Sequence, residues 1–309
     1  MTKHDAHDQT DWRVRVVPNK FPAVQAVNAV ASFSAGREPH VLPNSASSTA
    51  IETNDHSASL AGVNLFRRRE LSGAHEVIIE SPQHLQSISQ LDRETINLVF
   101  QAYRDRLAFW LSECDQAYAV VFKNVGLDAG ASLFHTHSQL IATDVLPTDI
   151  DRVTQRMELF AERESVCLFC RMLEDELEHA VRVVEETRKF VAFCPFASRL
   201  PSLITVLPKT HQSAFEALSD SSIAELSWLT HRLVRRIEKC YPDAAYNLVI
   251  HTAPRLSQCS VQQLADIFHW RMELFPRLTT VAGFEWGSDC YINPLAPETA
   301  ASALRKAGV

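Results

Sequence analysis

Residues 121–142, VFKNVGLDAGASLFHTHSQLIA, decide how the chain reads. An apolar run enters as a strand, and Gly126 and Gly130 mark a loop. A second strand then leaves through His135, His137, Gln139 and Ile141. Alternation along a strand sends every second side chain to one face, so His135, His137 and Gln139 share a face. The glycines and Ser132 can bring backbone N–H groups close to a phosphate. An imidazole with an ordinary pKa near ~6.5 is largely neutral at pH 7 and nucleophilic at its free nitrogen. It can displace at phosphorus and store a nucleotide as a phosphoramidate. Gln139 offers a neutral donor to non-bridging oxygens as charge shifts. Taken alone, two alternating histidines serve a polar strand face or a metal site equally well.

Working outward, the chain repeats itself. Ser81-Pro82-Gln83-His84 is followed by Ile88 and Leu91, four and seven residues after the His. Pro208-Lys209-Thr210-His211 is followed in the same way by Phe215 and Leu218. Strand-like apolar runs precede both, at 77–79 and 203–207. A helical spacing comes next in each half: Ile96, Val99, Tyr103, Leu107 and Trp110, then Ile223, Leu226, Leu229, Leu233 and Ile237. Strand-like stretches at 118–123 and 246–251 follow. Phe134-His135-Thr136-His137 then finds its counterpart in Phe268-His269-Trp270-Arg271. The expectation is two copies of one α+β unit, over residues 1–150 and 151–309. The first copy carries an irregular Ser/Ala/Asn/Pro-rich insert at about 28–64, read as a surface linker, with a lid or subunit contact as the alternative.

Composition limits the class. Hydrophobic residues make up 46% and charged residues 22%, enough to bury a core. No run of about 18 apolar residues exists, so no membrane helix is expected. The start lacks the basic and apolar blocks of a secretion signal. A net charge of -7 argues against nucleic acid as a partner. Seven cysteines, only two of them in a recognisable pair, fit reduced thiols and a cytoplasmic location.

The segment FKNVGLDAGASLFHTHSQ resembles the active-site segment of the galactose-1-phosphate uridylyltransferase family, within the histidine-triad superfamily. VVPNKFPAV, HEVIIESPQH, CLFC, FHWRMELFPRLT and AGFEWGSDCYINP agree, so the resemblance covers residues 12–304. It implies a duplicated HIT-like α+β fold, two halves each an antiparallel sheet with packed helices. It implies that His137 becomes nucleotidylated and that Gln139 steadies the intermediate. Asn124, Gly130 and Ser132 then line the phosphate path, and Asn19, Lys20 and Phe21 the nucleoside pocket. The family's usual Pro between the two histidines is Thr136 here, at a position pointing away from the catalytic face. Histidine-triad hydrolases carry a third His where Gln139 stands. A carboxamide cannot shuttle a proton as imidazole does, so the intermediate is expected to await an acceptor phosphate.

Cys167 and Cys170 form a CxxC, which alone can be redox-active or incidental. The places of His211 and His269 in the repeat favour a tetrahedral zinc ion, Zn2+, held by two thiolates and two imidazoles. Related two-site members of the family use this combination structurally. Arg271 stands where the first half has His137, so the second half reads as non-catalytic. The first half offers His84 and His135 but no CxxC: the equivalent position falls before Met1. The expectation is an incomplete site, with His4 and His7 as weak substitutes.

Three functions follow. The first moves a nucleoside monophosphate, UMP first, between a UDP-sugar and a sugar 1-phosphate. The second keeps the nucleophile but acts as a phosphorylase on an ADP-sugar such as ADP-glucose, or on a dinucleoside polyphosphate. The third is an impaired nucleotide-binding module. The resemblance also suggests a homodimer.

Overall fold

Antiparallel pairing of Val121 with Ile250 and of Asn124 with Asn247 joins the two copies into one sheet. The computed structural model describes residues 12–24, 69–255 and 261–308. The 28–64 insert, His4, His7 and Cys259 lie outside them. The first copy contributes β1 (Arg15–Pro18), β2 (Gly73–Ile79), α1 (Arg93–Ala108), β3 (Tyr118–Val125) and β4 (His137–Thr143). The linking helices are α2 (Thr148–Glu164) and α3 (Leu168–His179). The second copy contributes β5 (Val183–Glu186), β6 (Phe190–Phe193), β7 (Ile204–Pro208), α4 (Asp220–Cys240), β8 (Tyr246–His251), α5 (Val261–Ile267) and β9 (Arg271–Pro276). The chain closes with α6 (Gly283–Ser288) and α7 (Pro297–Lys306).

Strand order across the sheet of the described residues is β1-β2-β4-β3-β8-β9-β7-β6-β5. The duplication is visible in that order. β2, β4 and β3 on one side of the β3–β8 seam answer β7, β9 and β8 on the other. The apolar residues that follow His84 and His211 do equivalent work. Ile88 and Leu91, and Phe215 and Leu218, are all buried, and each pair closes a short 3-10 turn that leads into a helix. Asp92 and Ser219 cap those helices by accepting from backbone N–H groups three residues on.

The helical spacing read from the sequence is the buried face of each helix. Ile96, Val99, Tyr103 and Leu107 of α1 join Ile223, Leu226, Leu229, Leu233 and Ile237 of α4 in one core shared by both copies. The periodicity through Trp110 spans two geometries, because α1 continues as a five-residue π-helical turn, Phe109–Glu113. Among the described residues, no helix is long and apolar enough to cross a membrane.

The opposite face of the sheet separates the halves. On β6 and β7 every residue is buried, because α2 and α3 contribute Met157, Phe169 and Leu173 to a second core with Val191, Phe193 and Leu207. Continuous apolar runs are what such doubly covered strands require. On β2 and β4 burial alternates instead. Ala74, Ile78, Leu140 and Ala142 face the core. His75, Val77, Gln139 and Ile141 face the other way and are only partly buried. That face carries the candidate site.

Candidate active site

His137 opens β4 opposite Ile79, and Gln139 lies opposite Val77 on one side and Phe122 on the other. The shared face expected for these two holds. His135 lies just before the strand, although its ring is used elsewhere, as described below. The Nδ1–H of His137 donates to the backbone carbonyl of His135 at 2.7 Å. A carbonyl only accepts, so Nδ1 carries the proton and Nε2 keeps its lone pair. A cavity of about 550 Å³ counts His135 and His137 among its lining residues, with Asn124, Gly126, Phe134, Glu238 and Tyr246, but not Gln139. A larger one, about 1070 Å³, lies between α2 and α5 around Arg255, Asp151 and Asp266 and contains none of the His-x-His-x-Gln set. Of the two, only the smaller has members of that set, His135 and His137, in its lining.

The loop before β4 is shaped by its glycines. Gly126 has φ 85, and a Cβ there would come within 2.8 Å of the Ala245 Cβ across the seam. Gly130 also has φ 85 and ends the short 3-10 turn in the left-handed region, where glycine costs least. Its N–H donates to Leu127 O, and the next amide, Ala131, donates to Gly126 O. These amides hold the loop together, so the Gly130 N–H is already engaged and is not free for a phosphate. Asn124 Oδ1 accepts from Asn247 Nδ2 at 2.9 Å, and the same Nδ2 donates to Ala129 O at 3.0 Å. The second copy thus braces the loop of the first. Ser132 is exposed beside Leu133 and Phe134.

Asn19, Lys20 and Phe21 follow β1 at the edge of the same face. Asn19 N–H donates to His75 O, and Asn19 Oδ1 accepts from Phe21 N–H at 2.9 Å. Lys20 Nζ lies over the exposed Phe21 ring at 5.5 Å. These three do not line the 550 Å³ cavity. They meet the site through Gln139, whose Oε1 lies 3.5 Å from Asn19 Nδ2.

Beneath the strand lies a polar network that motif reading does not reveal. Lys123, fully buried, donates to Glu80 Oε2 at 2.7 Å, to Thr136 Oγ1 at 2.9 Å and to His137 O at 2.9 Å. Glu80, also fully buried, accepts from Tyr103 OH at 2.8 Å and from the Ser138 and Thr136 hydroxyls at 2.5 Å. Burial pushes the Glu80 carboxyl up. The charge of Lys123 and the hydrogen bonds from Lys123, Ser138 and Thr136 outweigh it and hold the group below its ordinary range. Burial likewise lowers Lys123 against the pull of Glu80. Thr136 therefore points away from the face of Gln139, as expected, and is held in this network. Alternation along β2 and β3 puts Glu80 and Lys123 on the core side. A lysine in β3 and a glutamate just after β2, both at core-facing positions, are the sequence signal that could have paired them.

Cys167, Cys170, His211 and His269 converge, with their ligand atoms all within 4.8 Å of one another. His211 Nε2–H donates to Ala265 O at 2.7 Å and His269 Nε2–H to Pro208 O at 3.1 Å. Both Nδ1 lone pairs then point inward, 3.2 and 3.6 Å from Cys170 Sγ. A hydrogen bond from Cys170 holds the Cys167 thiol far below the usual thiol range, while the same contact pushes Cys170 up. Two sulfurs and two oriented imidazoles form a donor set that suits a tetrahedral soft-to-borderline cation.

The first copy keeps half of this arrangement. His135 Nε2–H donates to Ser81 O at 2.6 Å, and its Nδ1 lies 3.3 Å from His84 Nδ1. The two rings sit 5.1 Å apart at 74°, against 5.2 Å and 76° for His211 and His269. Among the described residues no thiol joins them. At the place of His137, the second copy has Arg271. Its Nε donates to Glu273 Oε1 at 3.1 Å, and Glu273 stands where the first copy has Gln139. Burial opposes the Glu273 charge, but Arg271 and His251 hold it ionised. A carboxylate at that position is a poorer neighbour for a phosphate than a carboxamide.

Comparison with known proteins follows the same lines. The family described as "Domain of unknown function (DUF4921)" matches residues 40–307. An ADP-glucose phosphorylase from Arabidopsis thaliana is 33% identical over 97% of this chain and 76% of its own length. A galactose-1-phosphate uridylyltransferase from Thermotoga maritima is 28% identical over 79% of this chain and 77% of its own. Among solved structures, an ADP-glucose phosphorylase from Arabidopsis thaliana with bound ADP-glucose superposes with TM-score 0.75. It is 30% identical, over 98% of this chain and 84% of that one. A uridylyltransferase structure gives the same TM-score at 24% identity, over 96% of this chain and 86% of that one, and shows the fold alone.

Proposed function

The chain belongs to the DUF4921 family of galactose-1-phosphate uridylyltransferase-like, nucleotidyl-transferring enzymes, and from that footing we propose that His137 is its nucleophile and a nucleotide sugar its donor. The observation that carries this is the 2.7 Å bond from His137 Nδ1–H to His135 O, which leaves Nε2 unprotonated on the strand face shared with Gln139. Nε2 attacks the α-phosphorus of the nucleoside diphosphate sugar. An N–P bond forms as the bond from that phosphorus to the bridging oxygen breaks. The electron pair leaves with the sugar 1-phosphate. An acceptor phosphate oxygen then attacks the same phosphorus, and the pair of the N–P bond returns to Nε2. Gln139 donates to the non-bridging oxygens through both displacements. Its carboxamide cannot activate water, which keeps the intermediate for a phosphate acceptor.

Uridylyl and adenylyl transfer share these steps. The ADP-glucose phosphorylase relative matches more of the chain at higher identity than the uridylyltransferase relative, and this supports ADP-glucose as donor with inorganic phosphate as acceptor. Incubation with ADP-glucose and with UDP-glucose, each labelled in the α-phosphate, tests the choice: the preferred donor leaves its label on the protein. Intact Gln139 and the closed hydrogen-bond pattern around His137 speak against the impaired binding module.

Zinc is proposed for Cys167, Cys170, His211 and His269, where it would tie α3 to the PxxH turn and to the start of β9 and supply structural cross-linking. His84 and His135 are proposed as an incomplete ligand pair. Self-association as a homodimer is supported by exposed Phe284, Trp286 and Ile292 near the C-terminus. The cysteines among the described residues are free thiols, which supports the cytoplasm as the compartment.

A further inference from the structure

We propose that His75 is a positioning residue for phosphoryl transfer: it holds the carboxamide oxygen of Gln139 and so turns the amide N–H2 toward the phosphate. This rests on the reading of His137 as nucleophile. His75 sits on β2 opposite Ile141, on the face shared by His137 and Gln139. Ala23 N–H donates to His75 Nδ1 at 3.1 Å, so Nδ1 is an acceptor and the ring proton resides on Nε2. His75 Nε2 lies 2.8 Å from Gln139 Oε1. Asn19 is oriented by Phe21 N–H on its Oδ1, and its Nδ2 faces the same Gln139 oxygen at 3.5 Å. Asn19 Nδ2 and His75 Nε2 are 3.1 Å apart, two donors gathered around one acceptor.

The consequence for Gln139 is a fixed polarity. A carboxamide has an oxygen end and an N–H2 end of nearly equal shape, and only the second stabilises an anion. With two donors on Oε1, a flipped amide would face N–H against N–H. The segment 19–24 supplies both Asn19 and the Ala23 amide, so the strip that follows β1 sets the direction of a group on β4 through one imidazole.

The test uses the full-length, metal-replete chain with ADP-glucose labelled in the α-phosphate. His75→Phe is expected to slow formation of nucleotidyl-His137 by about 10- to 100-fold while KM changes by less than about threefold, the size expected when a supporting contact and not a substrate contact is lost. His75→Gln keeps a donor at the position of Nε2 and recovers most of the rate. In a Gln139→Ala background, His75→Phe adds less than about threefold, because the group it orients is gone. Independently of turnover, 15N spectra of the His75 imidazole should show the proton on Nε2 and a shifted signal in Gln139→Ala. Equal losses in both backgrounds, or a proton on Nδ1, would overturn the proposal. A wild-type chain that takes no label overturns the nucleophile assignment instead, and the imidazole spectrum then decides the His75–Gln139 contact alone.

Discussion

The ring of His137 is tied by Nδ1 to the carbonyl of His135, two residues earlier on its own chain, at 2.7 Å. A strand that curls enough to bring that carbonyl under the ring fixes both the tautomer and the ring's direction. His135 is fixed in turn by Nε2–H on Ser81 O. The two histidines therefore do different jobs: one is aimed, and the other anchors the turn that aims it.

Removing the aimed ring should remove the chemistry. His137→Ala is expected to lower exchange of label between ADP-glucose and glucose 1-phosphate by at least about a thousandfold, on the order of losses seen when a nucleophile is deleted. Circular dichroism should stay native, since His137, though buried, belongs to neither apolar core cluster. Exchange at more than about a tenth of the wild-type rate would contradict the assignment.

Gln139→Ala should lower kcat by about 100- to 1000-fold with a small change in KM, the signature of a donor that acts on charge developing in the transition state. A raised KM with unchanged kcat would instead make Gln139 a ground-state contact.

Much of this was legible in the sequence, for identifiable reasons. The pairs Ile88/Phe215 and Leu91/Leu218 repeat because each closes the same turn onto the same core, so the duplication shows in spacing. His137 and Gln139 share a face because a strand alternates. The continuous apolar runs at 190–193 and 204–208 differ from the alternation at 137–143 because helices α2 and α3 cover one half only. What spacing does not show is partnership across strands. His75 with Gln139 and Glu80 with Lys123 are 64 and 43 residues apart, and only strand pairing brings them together. The glycine loop is misread in one respect: its amides close the turn on itself, which no motif reveals.

The buried pair under β4 should govern stability. Lys123→Met strands a fully buried carboxylate and is expected to cost about 3–5 kcal/mol by urea unfolding. Adding Glu80→Gln should restore most of it. The Glu80 carboxyl is held below its ordinary value of 4.5 in the folded chain, so its contribution is present above that pH and fades as pH falls through the lower folded value. Glu80→Gln should flatten that acid limb. A Lys123→Met chain as stable as wild type would show that the pair is not a structural constraint.

The Cys/His cluster should carry about one zinc ion per chain by elemental analysis, falling toward zero in Cys170→Ser. Stripping it with a chelator should lower Tm, because an ion there would join α3 to segments about 40 and 100 residues away. A chelator-insensitive Tm with no metal present would dismiss the site.

Peptide mass spectrometry after brief mixing with ADP-glucose and a denaturing quench at alkaline pH is the most direct measurement of all. A nucleoside monophosphate is expected on the peptide containing His137, lost when inorganic phosphate is added before the quench. An unmodified His137 peptide with both ADP-glucose and UDP-glucose, or the nucleotide found on another residue, would contradict it.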